Sequence, residues 1–355
     1  MHTISFPGLG IKEFQVNEVA IPNVFGRDIM WYGIIITFGI VCALAYVLYR
    51  AKRNENIKTD HVLDYAIYVV VFGVIGARLY YVFSKFDSFK ADTIKETLYN
   101  IIAVWNGGLA IYGGIIAGGL TLAIVSWIKK IKVGKAFDMV APAVMLGQLI
   151  GRWGNFFNGE AYGWSENVAK LPWRMQLEGA YRTVMVNGTP QNVPVDFVHP
   201  TFLYESLWNL LGFLLINLHY KRKKFDGQVF FMYITWYGFG RMLIEGLRTD
   251  SLYAGQFRIS QVIAFVCFFF GSVVLVAMHI VCRLRQKDNA LLAATASGGA
   301  EASSETGITA KTATEETSEI AAVPSTETIA EPITERNAED SQNTSESPCE
   351  TENND

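Results

Sequence analysis

The stretch "GQLIGRWGNFFNGEAYGW", Gly147 to Trp164, ends an apolar run with Arg152, Asn155, Asn158 and Glu160. Read as a helix, it puts Arg152 and Asn155 three residues apart on one face, with Asn158 and Glu160 following at its end. A guanidinium beside amides suits an anionic, oxygen-rich head group, because guanidinium forms paired hydrogen bonds with phosphate. Gly147, Gly151 and Gly154 let a neighbouring backbone or a ligand come close. The competing use is a polar cluster that only packs helices.

Other stretches offer similar groups. In "YGFGRMLIEGLRTD", Arg241 and Glu245 are four apart and Arg248 lies a further turn on, so all three share a helix face. They read as a neutralised pair that holds an arginine in place, as a gate, or as interface markers. In "HPTFLYES", Pro200 suits the first turn of a helix, leaving His199 just outside it and Glu205 within. His199 is a candidate proton carrier or a structural hydrogen-bonder. Trp31 and Tyr32 in "RDIMWYGIIITFG" fit an interfacial aromatic belt. Arg78 lies among aromatics in "GARLYYVF", and Tyr112 brings a titratable group between the glycine pairs of "WNGGLAIYGGIIAGGL". Those pairs read as close-packing positions or as an irregular start to a span.

The elements that must position these residues are membrane spans. The chain is 51% hydrophobic and 18% charged, and seven runs approach the ~20 helical residues that cross a hydrocarbon core of about 30 Å. They are Asp28 to Arg50, His61 to Ser84, Trp105 to Ile128, Phe137 to Asn158, Thr201 to Tyr220, Gln228 to Arg248 and Ile259 to Arg283. A charge in such a run costs at least about 2.5 kcal/mol unless it faces protein or water. Arg78, Asp138, Arg152, Glu205, Arg241 and Glu245 together therefore imply an internal polar cavity. Snorkelling from a helix end is the alternative, and it stays open for Asp138.

The connectors "RAKRNENIK", "KKIKVGK", "KRKK" and "RLRQK" are basic and alternate along the chain, which places them on the cytoplasmic side, the N-terminus outside and the C-terminus inside. The first 25 residues have neither a basic start nor an apolar core, so no cleavable signal peptide is expected. The expected organisation is an extracytoplasmic segment 1–27, a membrane domain 28–286 with an external cap 159–199, and a tail 287–355. Within the cap, "YRTVMV" followed by "NGTP" predicts a small extended or hairpin element. The tail, rich in Thr, Glu, Ala and Ser, cannot bury enough apolar area to order itself and is expected to be disordered. Cys42, Cys267, Cys282 and Cys349 show no metal spacing, so neither a zinc site nor a disulfide framework is expected.

The blocks "RDIMWYG", "GARLYYVF", "WNGGLAIYGGIIAG", "DMVAPAVMLGQLIGRWGNFFNGEAYG", "HPTFLYES" and "YGFGRMLIEGLR", in that order, closely resemble prolipoprotein diacylglyceryl transferases. The likeness covers about residues 20 to 285 and is most specific from Asp138 to Gly163. It implies an all-α polytopic enzyme of the bacterial cytoplasmic membrane, with seven spans and an outward-facing site. Enzymes of this family move the diacylglyceryl group of phosphatidylglycerol to the lipobox cysteine thiol of a preprolipoprotein. A thioether forms and glycerol 1-phosphate is released. Phosphatidylglycerol, lipobox signal peptides and membrane lipids are the implied partners; no nucleic acid, metal or soluble cofactor is.

By this resemblance the glycerophosphate-binding motif falls on Gly151, Arg152, Gly154, Asn155, Asn158, Glu160 and Gly163. The functional tyrosine of the first span falls on Tyr32 and the paired residues of the sixth on Arg241 and Glu245, while Arg78 and the His199 to Glu205 stretch also match. One departure stands out. Where well-studied members carry a histidine proposed as base, this chain has Tyr112.

The chemistry requires a thiolate to attack the glycerol carbon bonded to phosphate. A free thiol has a pKa near 8.5, so its activation is modest and stabilising the leaving phosphate is the larger task. Arg152 and Arg241 are the candidates for that task, with Asn155 orienting oxygens and Glu245 or Glu160 positioning an arginine. The base stays open between Tyr112, His199 and no protein group. A lipid or anion transporter, or a lipid-binding scaffold, would also use buried arginines; the odd span count and the missing internal repeat weigh against a transporter.

Overall fold

The computed structural model describes residues 1–186, 189–251, 253–254 and 257–311. The first apolar run begins as helix α1, Trp31–Arg50, three residues later than its hydropathy suggests, because Arg27–Met30 is pulled into a strand pairing with Val19–Val24. Next come α2, Thr59–Ser84, the short amphipathic α3, Ile94–Ile102, and α4, Ile111–Ile128. α5, Val133–Asn158, holds Pro142 and ends at Gly159 with φ 61°, a left-handed helix stop that glycine adopts freely. α6, Thr201–His219, α7, Gln228–Glu245, and α8, Ile259–Lys311, complete the series. Among the described residues six helices are long and apolar enough to cross a membrane; α7 is the one large helix outside that set.

The third apolar run does not start at Trp105. Gly107 and Gly108 take φ 82° and 75°, which breaks the helix, and α4 begins only at Ile111. Conversely, α5 starts at Val133, before Phe137, and α7 stops at Glu245, short of Arg248. α2 and α4 pack at Gly76 and Gly113, where a methyl group on either would collide with the other's carbonyl oxygen. α5 is central and packs against α1, α4, α6 and α7.

Asp138 settles one open point. It is fully buried, and its carboxylate accepts from the N–H groups of Gly227 and Phe230, both at 2.9 Å, so it caps the start of α7 from another helix. Lys223 reaches it at 3.2 Å and Glu55 at 2.6 Å. This is a buried structural junction rather than a snorkelling charge, and it gathers the connectors after α1, before α5 and before α7 at one end of the bundle.

The opposite end carries the strands. β1, His2–Phe6, pairs with β2, Ile11–Val16, and with β5, Gln176–Leu177, while β3, Val19–Val24, pairs with β4, Arg27–Met30. The segment 1–27 and the cap are thus joined through one sheet, over a core of Ile4, Val16, Tyr162, Leu177, Val198 and Phe202. The expected extended or hairpin element is a hairpin, β6, Tyr181–Val186, against β7, Thr189–Pro194, from Tyr181↔Pro194 to Val186↔Thr189. Asn187 and Gly188 of its expected turn lie outside the described residues. A small pair, β8, Tyr253–Ala254, and β9, Phe257–Arg258, precedes α8. The fold is mostly helical, with these short strands added.

The chain divides into two units, Met1–Ala277 and Met278–Asp355. The tail departs from expectation over 287–311, which is helical. Its run "DNALLAATAS" is rich in alanine and leucine, the better helix formers, and it extends a helix whose costly nucleus already exists. Residues 312–355, and with them Cys349, lie outside the described residues. Cys42 and Cys267 are free thiols.

Candidate active site

The last turns of α5 present Arg152 and Asn155 as their spacing requires. Arg152 Nη1 donates to Asn155 Oδ1 at 3.3 Å; Asn155 and Asn158 donate in turn to Glu160 Oε1, at 2.9 and 3.3 Å. The opposite side of this helix lies against α1. A methyl group on Gly154 would meet the Tyr32 ring at 2.6 Å, so the absent side chain is what lets that ring approach α5 so closely.

Glu205 is the centre of the cluster. It sits one turn into α6 and is 3% exposed, and its two oxygens are divided between two other helices. Oε2 lies 2.7 Å from Arg152 Nη2 on α5, and Oε1 lies 2.8 Å from Arg241 Nη1 on α7. Arg241 Nη2 also meets Glu245 Oε2 at 2.7 Å, a charge contact rather than an aligned hydrogen bond. Arg248 stands 3.6 Å from Glu205 and 3.9 Å from Glu245, and is held outward by Asp250 at 2.7 Å. Three guanidiniums therefore converge on two buried carboxylates. Arg258 closes the end of α7 by donating to the carbonyls of Glu245 and Arg248.

Each buried carboxylate offsets the desolvation of its arginines, which otherwise carries a heavy penalty. The second terminal nitrogen of Arg152 meets Asn155 and that of Arg241 meets Glu245, and a guanidinium has five N–H donors, so each arginine has the capacity to bind a further anionic oxygen. The arrangement suits the binding of a phosphodiester and the stabilisation of charge that develops on it.

Gly163 knits the mouth of the site together. Its main chain bridges both His199 and Arg248, and a methyl group there would press on Thr201 and on Leu247 at 2.9 and 3.0 Å. His199 lies beside this bridge but does not touch the arginines. Ser165 Oγ is 2.8 Å from its Nε2 and the Tyr204 hydroxyl 3.2 Å from its Nδ1. Burial lowers its pKa, because desolvation disfavours the charged ring.

Two expected residues stand apart from this network. The Arg78 guanidinium donates to the carbonyls of Asn100, Ile101, Ala103, Gly107 and Gly108, which occupies its fork with backbone. Tyr112 shares a 2.9 Å hydrogen bond with Ser260 at the start of α8. Glu205 and Arg248 were visible as charges in or beside apolar runs. Helical phase placed Arg248 on the face of Arg241 and Glu245 but gave no partner for Glu205, and only the packing of α5, α6 and α7 assembles the set.

The family model described as prolipoprotein diacylglyceryl transferase matches residues 19–277, well over half the chain. This chain belongs to the prolipoprotein diacylglyceryl transferase family. A phosphatidylglycerol–prolipoprotein diacylglyceryl transferase of Finegoldia magna is 43% identical over 253 residues, covering 71% of this chain and 92% of that relative. One from Streptococcus pneumoniae is 42% identical over 255 residues, 70% and 89% of the two chains, and one from Listeria innocua 40% over 257 residues, 72% and 87%. The family match takes in every residue of the arginine cluster.

Proposed function

We propose that this chain is a transferase that moves the diacylglyceryl group of phosphatidylglycerol to the cysteine thiol of a prolipoprotein. The observation that carries the reading is one carboxylate, Glu205, holding Arg152 and Arg241 side by side. The phosphodiester binds against those guanidiniums, with Asn155, Asn158 and Glu160 at the rim and Glu245 fixing Arg241. The cysteine sulfur attacks the diacylglycerol carbon bonded to phosphate. The carbon–sulfur bond forms as the carbon–oxygen bond breaks, and the electron pair leaves on the phosphate of glycerol 1-phosphate. Arg152 and Arg241 stabilise that charge in place, without reorganisation.

The thiol proton leaves without a dedicated protein base: a thiol near pKa 8.5 is already a few per cent thiolate at neutral pH, and the arginines favour the anion. Tyr32 packs on Gly154 and fixes α5 behind the arginine face, Tyr112 ties the start of α4 to Ser260, His199 braces the cap, and Arg78 and Gly163 shape the segments around the site.

In the bilayer, seven helices span, with α7 included because its polar groups face protein. The arginine cluster and the cap 159–199 face the extracytoplasmic side of the cell membrane, and the C-terminal tail the cytoplasm. Support comes from the ion pairs of Lys223 with Glu55 and Asp138 and of Lys132 with Asp226, which gather three of the basic connectors at the end opposite the strands. The test is a mass shift on a lipobox peptide incubated with the protein in phosphatidylglycerol vesicles. Lipid flux across the vesicles with no mass shift would instead make it a transporter.

A further inference from the structure

The cap contains a cavity of about 300 Å³ whose lining includes Trp164, Ser165, Glu166, Ala169, Arg182 and Asp196. It adjoins the arginine cluster through the main chain. Trp164 follows Gly163, which bridges Arg248, and the Trp164 N–H donates to Leu247 O at 2.8 Å. Over the Trp164 ring, at 3.7 Å from its centre, lies the Arg182 guanidinium. Glu166 and Asp196 are exposed.

Val168, Val193, Pro194, Val195 and Phe197 add apolar wall, but the stacked cation and two carboxylates set among them do not suit an acyl chain, which would strip them of water without pairing them, or a phosphate, which needs converging donors. They suit a short length of extended polypeptide, whose peptide groups meet polar walls and whose side chains of either sign find a partner. The volume is at the small end of ligand pockets, about 300–1,000 Å³. The bridge from Arg248 to Gly163 leads directly to Trp164 in the cavity wall, so the cavity is next to the cluster along the main chain, within the range of a polypeptide whose cysteine lies at the arginines.

We propose that this cavity receives the residues following the acceptor cysteine of the prolipoprotein. The arginine cluster then selects the lipid and the cap selects the polypeptide. Ser165 belongs to the cavity wall and bonds His199, which connects an occupied cavity to the mouth of the site. The proposal rests on the diacylglyceryl transfer reading.

The experiment uses the full chain in phosphatidylglycerol vesicles and two acceptor peptides with the same signal sequence, one ending at the cysteine and one continuing for several residues. The unaltered protein should show the lower KM for the longer peptide. Arg182→Ala, and Ala169→Trp, which fills the cavity from an exposed position, should each raise that KM about tenfold, the scale of one lost anchoring contact, and leave the short peptide unchanged. Equal effects on both peptides would make the cavity a structural feature of the cap, and no effect on either would leave it without a role in the reaction; each overturns the proposal. Failure of the unaltered protein to modify either peptide would remove the transferase reading itself, and the proposal with it.

Discussion

Arg152 and Arg241, on different helices, grip opposite oxygens of the same buried carboxylate, Glu205, at 2.7 and 2.8 Å. Glu205→Gln removes the charge and keeps the shape. Breaking a buried ion pair from one side costs about 3–5 kcal/mol, so the detergent-solubilised variant should melt well below the parent. Two arginines left facing each other should also splay, lowering transfer by about 10²-fold or more, the scale of losing one preorganised charge-stabilising group. Parent-like melting together with parent-like turnover would remove Glu205 from the centre of the site.

Gly154 and Tyr32 form the second close relationship. Gly154→Ala should destabilise by about 1–3 kcal/mol, because the added methyl group has no room beneath the ring. Tyr32→Ala in the same chain should recover the melting temperature without recovering transfer. Additive losses in the double variant would show that the two residues do not act on each other.

The helices were legible because their apolar runs are long, and the arginine face of α5 because its polar residues repeat at helical spacing. Arg78 was legible as a buried charge but not as what it is. A single sequence does not say that the carbonyls of 100–108 bend back to meet a guanidinium, a path set by Gly107 and Gly108. Asp138 was ambiguous for a related reason: its partners, the N–H groups at Gly227 and Phe230, are distant in sequence and belong to a backbone every residue shares. Glu205 was seen but left out of the site, since its role exists only where α5, α6 and α7 meet. Helix ends were misjudged where a strand or a glycine pair intervened.

Arg78→Lys should test whether that arginine grips substrate or backbone. Lysine offers a compact ammonium with three donors in place of a five-donor planar fork, and it cannot hold five carbonyls at once. Faster amide exchange around Gly107 to Ala110 is expected, with a lower kcat and a KM for phosphatidylglycerol changed less than about threefold. A large rise in that KM with unaltered exchange would return Arg78 to the head group.

His199 should give the cap a pH dependence. Its folded pKa is lowered by burial below the unfolded 6.5, so at acid pH the unfolded chain binds the proton more readily than the folded one. The stabilising contribution is therefore complete above about pH 6.5 and is lost as the pH falls through the folded value, by at most ~1.4 kcal/mol per pH unit. Melting temperatures between pH 7.5 and 5 should fall more steeply for the parent than for His199→Gln. Parallel curves would assign the acid sensitivity to other groups.

Tyr112 decides how the thiol loses its proton. The hydroxyl is bonded to Ser260 rather than to the arginine cluster, and without a dedicated base the reaction draws on thiolate already present in solution. Tyr112→Phe should then keep transfer within about tenfold of the parent, whereas loss of a general base typically costs about 10²–10⁴-fold. Parent and variant should share one pH profile, rising toward the thiol pKa near 8.5, because the same group titrates in both. A variant whose rate collapses at neutral pH and recovers with added small-molecule base would make Tyr112 the proton acceptor, and its bond to Ser260 the device that holds it in position.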